Sequence, residues 1–210
     1  MTAIQKHSSK PQAFTVTPKQ ADRLRTRIAN IRRTLAAEKR KFGWYDDGRG
    51  LRYLPPELYI KLEDYKGGLT YLRWFHKNFP DDIGFPDFLF DWTIILFKTS
   101  KLKDAEHKAV QTWFANTYLF DAYFGRAVTP IDKSEFSNLE TPEFVNHFDY
   151  SATQGSLADF TVWLAALEES EHFRITTSKF IGLQKRLSKE TDVETRSYLI
   201  KQCVKLLEDY

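Results

Sequence analysis

Apolar residues recur along this chain in helical steps, and alternation with period two is not sustained over any long stretch, which predicts an all-α protein. Leu24, Ile28, Ile31 and Leu35 follow four- and three-residue steps. A first helix is therefore expected over 18–41, packing through a narrow seam on one side. Further helices are expected at 56–65, 68–78, 86–98, 101–124, 171–188 and 192–208, with a short one near 142–148. Leu157, Phe160, Leu164 and Leu167 define one more apolar face. In the 86–98 segment Phe88, Leu89, Trp92, Ile95 and Leu96 form a stripe, while Phe90, Ile94 and Phe97 cover the other sides. A helix apolar nearly all round belongs in the middle of a bundle.

Punctuation agrees with this pattern. Thr17-Pro18, Pro55-Pro56, Phe85-Pro86 and Thr141-Pro142 read as helix starts, because proline lacks an N–H that a first turn leaves unbonded anyway. Thr17 with Gln20, Ser156 with Asp159, and Thr191 with Glu194 have capping-box spacing. In 42–58, "FGWYDDGRGLRYLPPEL", Asp47-Gly48 and Gly50 break the helical pattern and predict an ordered loop rather than a hairpin. Residues 125–140 are a connector. Residues 1–17 read as a flexible tail and 18–210 as one helical domain.

Composition changes the picture in two places. The net charge of +3 is divided: residues 1–41 carry eleven Lys and Arg against Asp22 and Glu38, so the remainder is acidic. Such a basic helix over 18–41, with Arg23, Arg27, Arg32, Arg33 and Arg40, suits nucleic acid, and its apolar seam offers an alternative homodimer contact. No apolar run approaches the length needed to span a bilayer, and "MTAIQKHSSKPQAF" lacks a signal-peptide core, so a cytoplasmic protein is expected. The lone cysteine, Cys203, lies in the apolar stripe Leu199, Cys203, Leu206, Leu207 and reads as a small buried hydrophobe.

Candidate chemistry concentrates in "HKNFPDDIGFPDFLFDW", residues 76–92. His76, Asp81, Asp82, Asp87 and Asp91 supply the ligand types of a hard or borderline metal, but their spacing fits no HExxH, paired ExxH or calcium-loop pattern. Caps and loop acids explain them more simply, with Asp87 favoured in a first turn by the helix dipole. In "NHFDYS", His147 and Asp149 cooperate only if the segment is extended, since alternate positions on a helix face apart. Nucleophile-elbow, phosphate-loop and dinucleotide patterns are lacking, and no catalytic residue, cofactor or resident metal is assigned.

Residues 69–124 place a helix ending in "RWFHKNFPDD" before a helix "DFLFDWTIILF", a turn "KTSKLKDAE" and a helix carrying Ala105 and Ala109. This resembles tetratricopeptide-type helix pairs, with Pro80, Trp92 and Ala105 at comparable places. It departs from them in the extra "DIGFP" and in Ser100, which stands where the inter-helix turn usually has glycine. The resemblance implies an irregular helical-hairpin array whose concave face binds a protein or peptide. Asn78, Asn116, Tyr118, Tyr123 and Arg126 are then the candidate contacts. A protein-interaction module is the leading expectation, nucleic-acid binding through 18–41 the alternative, and a metal-dependent enzyme using His76 and nearby aspartates a further one.

Overall fold

The computed structural model describes residues 16–45 and 47–210. The tail expected over 1–17 falls almost wholly outside them. Among the described residues there are nine α-helices and no strand: α1 Pro18–Phe42, α2 Pro55–Lys61, α3 Tyr65–Asn78, α4 Pro86–Lys98, α5 Leu102–Ala115, α6 Leu119–Phe124, α7 Ala158–Glu169, α8 Glu171–Leu187 and α9 Val193–Glu208. The chain is an all-α array of packed helix hairpins, compatible with a helical-repeat fold. No described helix is long and apolar enough to cross a membrane.

The expected helix starts hold at all four proline sites, although Pro142–His147 is a 3-10 helix. Thr17 and Gln20 form the reciprocal capping box of α1. The other two caps differ. Asp192 rather than Thr191 caps α9, accepting from the Thr195 N–H at 2.8 Å. Ser156 does not cap α7; its carbonyl and the Asp159 carboxylate instead receive the Lys98 ammonium from α4.

Two boundaries move for packing reasons. The helix expected to run unbroken over 101–124 stops at Asn116, which is 1 % exposed. Its amide donates to the Leu139 and Thr141 carbonyls at 2.7 and 3.1 Å, and its Oδ1 accepts from the Tyr118 N–H at 2.9 Å. The gain from tying the connector to the core displaces the local helical bond. Conversely, α3 runs straight through Gly67-Gly68, where a helix start was expected. A Cβ on Gly68 would lie 2.8 Å from Ile95 Cδ1 and 3.2 Å from Tyr59 Cβ, so the glycine is there for close approach of α3 to α2 and α4.

The centre of the molecule is α4, with Leu89, Phe90, Ile94 and Ile95 all fully buried. Helices α2, α3, α5 and α7 pack around it, most intimately α5, which presents Ala105 and Ala109 at 0 % exposure. Helix α1 docks on its own chain: Ile28, Ile31 and Leu35 are buried, and its neighbours are α2 and the 3-10 turn Leu51–Tyr53. The seam offered as a homodimer contact is therefore already covered in cis. Phe180, Leu187, Leu199 and Cys203 of the α8–α9 hairpin form a smaller core that meets the main one through Trp113 and Phe114.

Ser100 adopts φ 59°, the left-handed conformation that glycine supplies without steric cost. Ser100→Gly is expected to stabilise the fold by about 1 kcal/mol. Gly68→Ala should instead destabilise by about 1–3 kcal/mol through overpacking, despite alanine's better helix propensity. Urea unfolding of both variants against the wild type checks the two signs.

Candidate functional site

A cavity of about 280 Å³ opens where α2, the N-terminal half of α4 and the segment 147–150 meet. Each wall follows from local sequence. Asp87, Phe88 and Asp91 stand three and four residues apart on α4, so one stripe of that helix faces the cavity. The turn Leu51–Tyr53, set by Gly50 at φ 66°, brings in Tyr53, and Glu57 follows from the first turn of α2. Phe148 leaves the 3-10 helix with extended backbone (φ −81°, ψ 117°), and His147, Phe148, Asp149 and Tyr150 complete the lining.

Two chemistries share this space. Tyr53 lies 4.6 Å from Phe85 and 5.2 Å from Phe88 between ring centroids, and Phe148 lies 5.5 Å from Tyr150. Between these aromatic walls stand the carboxyls of Glu57, Asp87, Asp91 and Asp149, with Arg49 exposed at the edge. Glu57 is paired with Lys61 one helical turn on.

Asp91 is the deepest of these groups, 5 % exposed, and its Oδ1 accepts from the Tyr150 hydroxyl at 2.5 Å. Burial pushes its pKa well above the usual carboxylate range; the Tyr150 bond opposes the shift, and the charges of Glu57 and Asp87 add to it. Burial and the nearby Asp91 charge likewise raise the Tyr150 phenol. Asp87 stands at the exposed rim, where partial desolvation raises its pKa while the Phe88 N–H, at 2.8 Å, pulls it down. A cation entering the cavity would meet aromatic faces and carboxyls together and would favour ionisation of Asp91.

The other residues of 76–92 are dispersed. Asp82 takes the Arg52 Nε–H at 2.8 Å and the Tyr53 hydroxyl at 2.7 Å, while Asp81 is exposed. His76 faces a different groove, with its ring 6.4 Å from Trp92. Among the described residues no group of three or more His, Cys, Asp or Glu is placed to hold a metal ion. Cys203 is buried, and burial pushes its thiol up to about 11, as befits a packing residue. His147 and Asp149 both line the cavity, although His147 ends the 3-10 helix Pro142–His147 and the backbone becomes extended only at Phe148.

The candidate partner contacts separate into two groups. Asn116, Tyr118 and Tyr123 are at most 1 % exposed. The Tyr118 hydroxyl donates to Glu135 at 3.1 Å and accepts from the Ile131 N–H at 3.0 Å, and Tyr123 pairs with Thr161 at 2.7 Å. These three serve the interior, a correction to their assignment to a concave surface. Asn78 is half-buried and bonded to Trp74 and Tyr45, and Arg126 is exposed, held by Asp121 and Glu168. Arg23, Arg27, Arg32, Arg33 and Arg40 are all exposed on α1.

Sequence reasoning missed Tyr53, Glu57, Phe148 and Tyr150 as neighbours of Asp91, since nothing in linear spacing joins three segments so far apart. The one legible signal was Asp91 itself, a carboxylate inside the otherwise apolar "FLFDWTIILF". Comparison of the chain with protein-family models, curated proteins and solved structures finds no match.

Because the folded state raises the Asp91 pKa, it binds more protons than the unfolded chain between the two pKa values, so stability falls as pH rises through that window. Asp91→Asn keeps an acceptor for Tyr150 and removes the ionisable group. Thermal midpoints measured from pH 4 to 9 (approximately the span from an unfolded aspartate upward) should decline for the wild type and run flatter for the variant, which should be at least as stable at the alkaline end.

Proposed function

We propose that this protein is a protein-interaction module that seats a cationic side chain of its partner in the Asp91–Tyr150 cavity. The observation that supports this is the lining itself: five aromatic rings and four carboxyls around about 280 Å³. An ammonium over an aromatic face gains about 0.5–2 kcal/mol, rising with desolvation, and carboxylates add Coulombic attraction within the same space. The volume lies just below the range of roughly 300–1,000 Å³ that accommodates drug-sized ligands. It suits one inserted side chain better than a whole metabolite. The residues around it come from a rigid helix and two pinned segments, so little ordering is required on binding.

The reading treats the region around α3, α4 and α5 as a tetratricopeptide-like array. Its support is the fully buried Ala105 and Ala109 where α5 meets α4, and the left-handed Ser100 in the turn between them.

n-Butylammonium is the probe for the cavity, with n-butanol as the neutral control, followed through the ring resonances of Phe148 and Tyr150. The amine should shift both rings, and the alcohol should not. Asp87→Asn combined with Asp149→Asn should weaken the amine at least about tenfold, which is 1.4 kcal/mol. Binding should release protons, because a cation beside Asp91 favours its ionisation. Equal shifts with butanol, or an affinity indifferent to the two substitutions, would reject the reading.

A second reading is nucleic-acid binding by α1. Its support is that Lys19, Arg23, Arg27, Arg33 and Arg40 are all exposed on α1, while Arg25–Asp22 is the ion pair within the helix among the described residues. Trp44, 63 % exposed, stands just beyond its basic C-terminal turn and offers a stacking face. Replacing Arg23, Arg27 and Arg33 with glutamine should reduce the slope of log affinity for single-stranded oligonucleotide against log salt by about 2. An unchanged slope would discard this reading.

A further inference from the structure

A second groove, of about 410 Å³, lies between α3 and α5 with Trp92 of α4 beneath it, and its charge is opposite to that of the first. Arg73 and His76 come from α3, and Lys101, Asp104, His107 and Lys108 from the start of α5 and its second turn. Leu69 and Leu96 supply an apolar wall.

Lys108 is the informative residue. Its ammonium sits 4.1 Å from the Trp92 ring centroid and donates to Gln111 Oε1 at 2.6 Å. No carboxylate lies within ion-pair distance of it among the described residues, and both of its partners are neutral. A partly buried charge of this kind is normally paired, because desolvation penalises it. Burial accordingly draws its pKa down to about 8. Arg73 and Lys101 stand exposed on either side, also without a carboxylate partner among the described residues. Three permanent or near-permanent cations face one carboxylate, Asp104, leaving an excess of two positive charges. The N-terminus of α5, which no side chain caps, opens on the same groove and adds its dipole to that excess.

We propose that this groove binds a phosphate monoester, with the phosphate between Lys108, Arg73 and Lys101 and the organic group against Leu69 and Leu96. The dianion matches the charge excess, which a monocarboxylate would satisfy only by half. Three donors from two helices can share its oxygens, and the apolar wall favours an ester over inorganic phosphate. The site is separate from the cation cavity and does not depend on it.

The pH response follows from the groups that face the phosphate. Arg73, Lys101, Asp104, His76 and His107 face the phosphate beside Lys108, with His107 held 3.0 Å from the Leu207 carbonyl of α9. The ester's second ionisation, near pH 6, completes the dianion as pH rises. Loss of the Lys108 proton then weakens binding above about 8. Affinity is therefore greatest between those limits.

Calorimetric titration of the full chain with phenyl phosphate, inorganic phosphate and benzoate tests this. Phenyl phosphate should bind most tightly and lose affinity above pH 8. Lys108→Met, which preserves packing over Trp92, should weaken it at least about tenfold. Arg73→Gln, a surface change that leaves the core untouched, should weaken it severalfold, and Asp104→Asn should tighten it. Benzoate binding as well as phenyl phosphate, or Lys108→Met and Arg73→Gln both retaining wild-type affinity, would overturn the proposal.

Discussion

The enclosure of α4 is the constraint on which the rest depends. A helix with Phe88, Leu89, Phe90, Ile94, Ile95 and Leu96 spread around its circumference has no face to give to water, so other helices must cover it. α5 does so at close range because Ala105 and Ala109 replace bulk with contact, and the buried pair Thr93 and Thr112 exchange a hydroxyl hydrogen bond across the same interface at 3.2 Å. α2, α3 and α7 take the remaining sides. Each large apolar side chain so buried contributes about 1.5–3 kcal/mol before entropy is counted. That burial offsets the desolvation which holds the Asp91 pKa well above the usual carboxylate range. The core can therefore carry Asp91, and where Asp91 emerges from α4 the enclosure gives way to the cavity.

The wall opposite α4 is held by a polar clasp. Arg52 donates to Asp82 through Nε at 2.8 Å and to the Tyr53 hydroxyl at 2.7 Å, and the two oxygens of buried Asp47 accept the backbone N–H groups of Leu51 and Arg52 at 2.8 Å. The Tyr71 hydroxyl of α3 donates to the Arg52 carbonyl at 2.8 Å. This network joins the loop before α2 to the loop before α4, and so fixes Tyr53 between Phe85 and Phe88. Its members are half-buried or better, where charged hydrogen bonds are stronger than on an open surface. An aspartate read from the sequence as a metal ligand or a solvated loop acid is in fact a fastener of the cavity wall.

Charge is segregated in space as well as in sequence. The basic residues of α1 point outward from a seam closed in cis, the carboxyls gather at the Asp91 cavity, and a separate cationic groove crosses α3, α4 and α5. These surfaces present different chemistry. Only the first was visible in the linear charge pattern, because its cations all lie on one helix between residues 19 and 41, whereas the others are assembled from three or more segments.

What the sequence determined was whatever depends on neighbours in the chain. The helical period set α1 and α4 almost to the residue, the prolines set the starts, and Thr17 with Gln20 set a cap, since each acts over one turn or less. It also marked Ser100 as an exception at a glycine position, and it holds Asp91 as a carboxylate within an otherwise apolar helix. Tertiary structure decided the rest. Asn116 broke a helix that local pattern would have continued, because carbonyls 23 and 25 residues away offered it bonds. Gly68 stayed helical because Ile95 needed the space. Tyr118 and Tyr123 went inside because partners waited there, and Tyr150 reached Asp91 across 59 residues of chain. Periodicity records which side of an element seeks burial; it does not record which distant element will provide it, and a binding cavity is made of those distant meetings.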